Sequence, residues 1–401
     1  DRHTFGDMNP YVYKTTDFGK TWTRIAGPEQ GLRGYAHVVK EDTVNPDLLF
    51  VGTEFGLWIS NNGGKDWAQF KGGNFPNVAV RDMVVNPRNN DLVLATHGRG
   101  IWIIDDITPL RQLTDEVLQK EATFVEARPA VQRLEGQGGW VQGDALYVGD
   151  NPPEGAAITY YQRTRHLFGP IKLEILNADG RVVDTLPASK RRGLNRVMWS
   201  MRLGPPRVPR AAQLAGNSQQ GPRVLPGTYT VRLTKGKEVY ETKLTVGLDQ
   251  RATFSAADRK LQFDAAMRVH KLFDDMSTLV DKINKDRAAA NTLVETLPAD
   301  DQVRKDLESF SAEAEKIRKK IVATKEGGAI TGEERLREFT DQLYGAIMSY
   351  EGKPTAYQME RIDSLQRMLD DVTKDFQSFT TQQVPKLNQE LKAKNLESIP
   401  E

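Results

Sequence analysis

The ten residues from Tyr13 to Trp22, YKTTDFGKTW, return forty-five positions on as WISNNGGKDW, from Trp58 to Trp67. Aligned, Thr15 meets Ser60, Asp17 meets Asn62, Gly19 meets Gly64, Lys20 meets Lys65 and Trp22 meets Trp67. A small hydroxyl, a side-chain acceptor, a glycine and a tryptophan are kept. That is turn chemistry with one large apolar anchor, the content of a corner between strands. A longer match surrounds it: NPDLLFVGTEFGLWIS (45–60) pairs with NPRNNDLVLATHGRGIWII (86–104). Each copy reads as an Asn-Pro turn, an apolar strand, a Gly-containing hairpin and a strand carrying Trp and Ile. Four short strands in a period of about 40–45 residues predict a propeller blade.

The run Thr15 to Trp22 fits S/T-x-D-x-G-x-T-W and resembles the Asp-box, or BNR repeat, of sialidases, sortilins, some xyloglucanases and photosystem assembly factors. VGTEFGLWIS and THGRGIWIIDD are most similar to large secreted bacterial BNR proteins related to the sortilin propeller. The resemblance covers about residues 1–110. It implies structural roles for Asp17, Gly19, Trp22, Asn62, Gly64 and Trp67, with the tryptophans packing into their blades. It also implies an extracytoplasmic bacterial protein, whether periplasmic, surface-bound or secreted. Asn62 stands where the pattern has Asp, which is expected to weaken the second turn. Propellers close with roughly 4–8 blades, whereas this stretch supplies about two, so the remaining N-terminal blades are expected outside these 401 residues.

The fold class expected is multidomain β plus α. Residues 1–107 are the last two or so propeller blades and 108–121 a linker with a short helix. Residues 122–252 form a β-sandwich and 253–401 a four-helix bundle. In the sandwich region, hairpins are expected around Asn177–Gly180 and Lys235–Lys237. Gly193 to Trp199 with Pro226 to Tyr229 resembles the small immunoglobulin-like module of flagellar hook-capping proteins and many secreted bacterial enzymes. Gly204 to Val224, rich in Pro, Arg, Gln and Gly, reads as a mobile surface loop. Beyond it, Val269, Leu272, Met276, Leu279 and Ile283 step at helical spacing, as do Ile362, Leu365, Leu369, Val372, Phe376 and Phe379. Shorter stripes run from Val303 to Ile321 and from Leu336 to Ile347. Ser255-x-x-Asp258 and Thr331-x-x-Glu334 mark helix starts.

Composition removes several functions. With 55 Lys and Arg against 54 Asp and Glu, no global field draws the chain to nucleic acid. No apolar run approaches the ~20 residues that span a bilayer. The absence of cysteine excludes disulfides, thiolate zinc sites and cysteine nucleophiles. No cofactor or metal is expected: Asp17 sits in a D-x-G turn of the kind that can hold calcium, but without the run of oxygen ligands calcium needs. Lys190, Arg191, Arg192, Arg202, Arg207 and Arg210 make a basic patch that reads either as a grip for an acidic partner or as a solvated loop. An exposed second stripe on the helices would give a homo-oligomer surface.

In such a blade the hairpins and the loops entering the inner strands share one face. That rim collects His3, Glu54, His97 and Arg99 from hairpins, and Arg33, Tyr35, His37, Arg81 and Asp82 from entry loops. One reading makes this a polar pocket, with Glu54 or Asp82 as acid or base, His97 as shuttle and Arg81 or Arg99 as anion clamp. The other makes the same residues locks between neighbouring hairpins. The expected role is binding or scaffolding at the cell envelope, with the rim recognising a peptide or glycan. The alternative is a glycoside hydrolase whose catalytic carboxylates lie partly on absent blades.

Overall fold

The computed structural model describes residues 2–134, 154–327 and 332–400. It divides into two compact units, Asp1–Ser200 with Thr228–Gly247, and Met201–Gly227 with Leu248–Glu401. β strands make the first and helices dominate the second.

The first unit opens with a two-stranded sheet, β1 (Val12–Lys14) and β2 (Thr23–Ala26). A four-stranded antiparallel sheet follows in simple chain order: β3 (Ala36–Glu41), β4 (Leu49–Thr53), β5 (Gly56–Ser60) and β6 (Ala68–Gln69). A three-stranded sheet repeats the order with β7 (Val80–Asn86), β8 (Asp91–Thr96) and β9 (Ile101–Ile104). Side chains alternate faces along a strand, so each middle sheet has two faces to bury. Phe50 and Leu57 enter one core with Met83, Leu92 and Leu94 of the third sheet, while Val51 and Trp58 enter another with Val12 and Ala26 of the first.

The two repeated turns share one hydrogen-bond pattern. Gly19 N donates to Thr15 Oγ1 (2.8 Å), Thr21 N to Asp17 Oδ1 (2.9 Å) and Trp22 Nε1 to Gly19 O (3.1 Å). In the second, Gly64 N donates to Ser60 Oγ (2.9 Å), Asp66 N to Asn62 Oδ1 (3.0 Å) and Trp67 Nε1 to Gly64 O (3.1 Å). The substitution expected to weaken the second turn is compensated. Thr21 Oγ1 donates to Asp17 Oδ2 in the first (2.7 Å), and Asn62 Nδ2 donates to Asp66 Oδ2 in the second (2.9 Å), so donor and carboxylate have traded places. Gly64 is required twice over: its φ is +90°, and a Cβ would stand 2.9 Å from Ile25 Cβ. The tryptophans differ from expectation and from each other. Trp67 is half-buried and also donates to Ile25 O of β2 at 2.8 Å, whereas Trp22 is exposed.

Two short helices, α1 (Thr108–Arg111) and α2 (Asp115–Gln119), lead out of these sheets. Arg111 anchors the first of them by clamping the buried Asp42 with Nε and Nη2 at 2.8 and 2.9 Å. The strands that follow are β10 (Ala122–Val125), β11 (Ala130–Gln132), β12 (Ala156–Gln162), β13 (Ile171–Leu176), β14 (Val182–Leu186), β15 (Gly193–Trp199), β16 (Gly227–Lys235) and β17 (Glu238–Leu248). They form sheets ordered β10-β12-β15 and β11-β17-β16-β13-β14. The hairpins at Asn177–Gly180 and at Gly236 stand where expected, with φ of 75° at Gly180 and 62° at Gly236. Trp199 of one sheet meets Tyr229 of the other edge-to-face, centroids 5.3 Å apart.

The second unit is built on α3 (Ala256–Thr296), α4 (Gln302–Ile321), α5 (Leu336–Met348) and α6 (Ala356–Ala393). Ser255 and Asp258 cap α3 reciprocally. Residues from all four helices share one apolar core, and α3, α4 and α6 contribute to a second. Thr331 lies outside the described residues, and α5 starts later than its expected cap, with Glu338 accepting from Arg335 N at 3.1 Å. Glu333, just before it, turns its carboxylate back to Thr324 N and Lys325 N. Those backbone donors, with Arg335, hold it at about 2.

The segment expected to be a mobile loop is fastened to these helices instead. Arg207 N donates to Asp274 Oδ1 (3.0 Å), Ser218 N to Asp341 Oδ1 (2.9 Å), Tyr344 OH to Gln220 O (3.0 Å) and Arg259 Nη2 to Arg223 O (2.6 Å). Pro and Gly deny this stretch a ladder of its own, so charged helix side chains satisfy its backbone. Arg207, assigned above to a basic patch, spends its charge here against Asp281, 3.7 Å away, and donates to Thr278 Oγ1.

Candidate functional site

Strands β3 and β7 lie side by side, and each carries a bulge near its start. Pairing with β4 skips His37 between Ala36 and Val38, and pairing with β8 skips Arg81 between Val80 and Asp82. A bulged residue is released from the alternation of the ladder and its side chain re-aimed. Here both point to the same place: Arg81 Nη1 reaches His37 Nδ1 at 3.4 Å. His37 Nε2 meets Glu54 Oε2 of the β4–β5 hairpin at 2.8 Å, and Arg81 Nη2 stands 4.0 Å from that oxygen.

Aromatic rings extend the cluster. Tyr35 packs edge-on to His37, centroids 4.7 Å apart, and stacks on His3 at 4.3 Å with ring planes 6° from parallel. Gly34, in the left-handed region at φ +76°, lets the chain pass the hairpin: a Cβ would meet the Phe55 ring at 2.8 Å. Burial pushes the Glu54 carboxyl up, but hydrogen bonds from His37 and Tyr35 and the charges of His37 and Arg81 outweigh it and hold the group below its usual range. The site is therefore a carboxylate held by His37 and Tyr35, beside a half-exposed guanidinium and a stacked aromatic pair.

His3, His37, Glu54 and Arg81 thus come together, with Tyr35 between them. Asp82, His97 and Arg99 lie apart from this cluster and are exposed. Asp82 accepts from its neighbour Met83 N (2.8 Å), His97 is fixed through its backbone N to Ala79 O (2.9 Å), and Arg99 offers its carbonyl to Trp102 Nε1 (3.0 Å). Glu54 is paired with His37 rather than with His97. The signal for that pairing was available in the repeat, because His37 and Arg81 each sit just inside the strand opposite the threonine that opens a hairpin. Both oxygens of Asp17 are occupied by Thr15 and Thr21. Among the described residues no group of three or more His, Asp or Glu side chains is arranged to hold a metal ion, and no helix is long and apolar enough to cross a membrane.

No protein-family profile matches the chain, and neither does any curated protein. Among solved structures, it is similar to the extracellular domain of a one-component system from B. thetaiotaomicron, with 10% identity and a TM-score of 0.19. The match takes in 59% of this chain and spans 28% of that one.

Proposed function

We propose that the chain is an extracytoplasmic bacterial binding protein whose first hundred or so residues are blades of a sortilin-like Asp-box β-propeller. In this reading the rim around Glu54 and Arg81 takes a peptide or glycan. An immunoglobulin-like sandwich and a four-helix bundle follow in the chain, and further blades complete the ring. The observation that supports it is the meeting of two bulged strand residues, His37 and Arg81, over one hairpin carboxylate. A guanidinium only partly engaged by Glu54 can accept a ligand carboxylate or sugar hydroxyl, and the His3–Tyr35 stack offers a flat apolar wall. A hydrolase would need a carboxyl held high enough to donate a proton. Glu54 is held low, which argues against it as the general acid, whereas the ionised partner of such a pair is a role it could fill.

The test is saturable binding on peptide and glycan arrays, followed by titration of the best ligand with Glu54→Ala, Arg81→Ala, His97→Ala and Arg99→Ala. Loss of Arg81 is expected to weaken binding by about tenfold or more, with the far-UV circular dichroism unchanged. Full affinity in all four variants would remove the rim from consideration, and turnover of a glycan dependent on Glu54 would replace binding by hydrolysis.

A further inference from the structure

Three loops meet at one end of the sheets formed by β10 to β17. The register puts the end of β12, at Gln162, beside the starts of β10 and β15, and pairs the start of β13, at Ile171, with Lys235 at the end of β16. Backbone bonds join the loops there: His166 N donates to Lys190 O and Gly236 N to Pro170 O, each at 3.0 Å. Groups on the strands hold them from within. Tyr160 OH and Gln162 Nε2 donate to Ser189 O at 2.8 and 3.0 Å, and Asn195 Nδ2 donates to Arg191 O at 2.9 Å. Glu121 Oε1 accepts from Thr164 Oγ1 (3.0 Å) and Lys235 Nζ (2.5 Å). At the tip of the first loop, before Gly169 at φ +84°, Leu167 and Phe168 are 65% and 87% exposed. Residues 163–170, 187–192 and 235–238 hold seven Lys and Arg against one carboxylate, Glu238. Arg163 and Lys235 pair with Glu121. The other five, Arg165, Lys190, Arg191, Arg192 and Lys237, are exposed and make no ion pair among the described residues. Of the basic run read from the sequence, Lys190, Arg191 and Arg192 thus stand here, while Arg202, Arg207 and Arg210 belong to the second unit. These loops lie on the sheets of β10 to β17, not on the repeated sheets that further blades would extend.

Two neighbouring apolar side chains on a fixed tip gain free energy by leaving water, and cations without partners attract anions. A bilayer of anionic lipid offers both in one geometry, with phosphates at the level of the cations and an acyl phase directly beneath them. A polyanion in solution answers the charge but leaves Leu167 and Phe168 in water. We infer that this end of the first unit docks on an anionic lipid surface, with Leu167 and Phe168 entering the boundary between headgroups and acyl chains and the five unpaired cations engaging lipid phosphates. Two apolar side chains and a basic surround give a reversible, salt-sensitive attachment and not a span. The loops are already held in place from within, so docking orders little that is free beforehand. The inference stands on these loops alone and not on any ligand at the rim.

The test is co-sedimentation of the full chain with vesicles of phosphatidylcholine alone and of phosphatidylcholine mixed equally with phosphatidylglycerol. Binding is expected to the mixed vesicles and to fall as salt is added. Leu167→Ser with Phe168→Ser should weaken it by about tenfold or more, and each alanine placed at Arg165, Lys190, Arg191 or Arg192 by about fivefold. All six side chains are exposed or make no ion pair that holds the loops, and unchanged circular dichroism will confirm folding. Phe168→Trp reports the insertion itself: on mixed vesicles its emission should move to the blue beyond any shift of the parent and be quenched by brominated acyl chains. Failure to bind the mixed vesicles overturns the inference, as does an unshifted Phe168→Trp. Binding that is lost with the cations, ignores the two serines and is matched by dextran sulfate in solution would assign the loops to a soluble polyanion instead.

Discussion

Replacing Asn62 by aspartate would give the second turn the acid that the first turn has, and it should destabilise the protein. Asn62 Nδ2 donates to Asp66 Oδ2 at 2.9 Å, while Asn62 Oδ1 accepts from Asp66 N. In Asn62→Asp the donor becomes a second carboxylate oxygen against the first. Two charges at that separation repel by about 1 kcal/mol even under water-like screening, and the lost hydrogen bond adds about 1 kcal/mol more. The expected cost is ~2 kcal/mol, a fall of about 4–8 °C in the melting of the β unit at neutral pH. Adding Asp66→Thr rebuilds the arrangement of Asp17 and Thr21, so the double variant should return to within ~0.5 kcal/mol of the parent. The cost needs both carboxylates ionised, so it should shrink as acid protonates one of them. Melts followed by tryptophan fluorescence, which samples the adjacent Trp67, measure all four corners of this cycle. Equal stability of Asn62→Asp and parent, or a double variant as unstable as the sum of the singles, would refute the exchange of donor and carboxylate.

Asp341→Ala removes the acceptor of Asn217 Nδ2, Asn217 N and Ser218 N. It should cost about 3 kcal/mol and open residues 201–227 to limited proteolysis. Asp286 is fully buried on α3, accepts no hydrogen bond among the described residues, and has Lys282 Nζ 3.7 Å away. Burial pushes its carboxyl up against the pull of Lys282. A raised folded value makes ionisation a penalty that grows as pH rises, so Asp286→Asn should stabilise by about 1–2 kcal/mol at neutral pH and lose that advantage on acidification. Glu54 has the opposite sign. Its folded value lies below the ordinary 4.5, so its contribution is complete above that pH and lost as pH falls through the folded value. Glu54→Gln should flatten the acid limb of the stability profile, and an unchanged limb would deny Glu54 its partners.

Local chemistry was legible in the sequence wherever neighbours in the chain decide the outcome. The turn at Asp17, the hairpins at Gly180 and Gly236 and the cap at Ser255 depend on residues within four positions of one another, and each stands as read. The helix stripes were legible for a related reason, since a 3.6-residue period needs only an apolar neighbour and not a particular one. What failed depended on distant partners. Residues 204–224 look like solvent-exposed loop from composition, yet Asp274, Asp341 and Arg259, tens of positions further on, supply the donors and acceptors that fix that stretch. Trp22 and Trp67 are the same letter in the same motif, and only the presence of Ile25 O beside one of them separates a half-buried ring from an exposed one.

The candidate site follows the same division. Gly19 and Gly64, Asp17 and Asn62, Thr53 and Thr96 occupy matching places, because backbone geometry and turn closure make the same demand in each sheet. At the bulge, where a side chain leaves the ladder and answers to no cross-strand partner, the repeat diverges to His37 and Arg81. At the hairpin it diverges again, to Glu54 and His97, each fixed by a backbone bond to the residue two before the bulge. A position freed from the ladder can change without cost to the sheet. Because Arg81 lands beside His37 and Glu54 of the neighbouring sheet, a change there alters a contact between sheets and the surface above it while leaving each sheet intact. That places the chemical individuality of this chain in the bulge and hairpin residues, and it makes exchange of His37 and Arg81 between the two bulges the most direct way to ask whether these side chains hold the neighbouring sheets together.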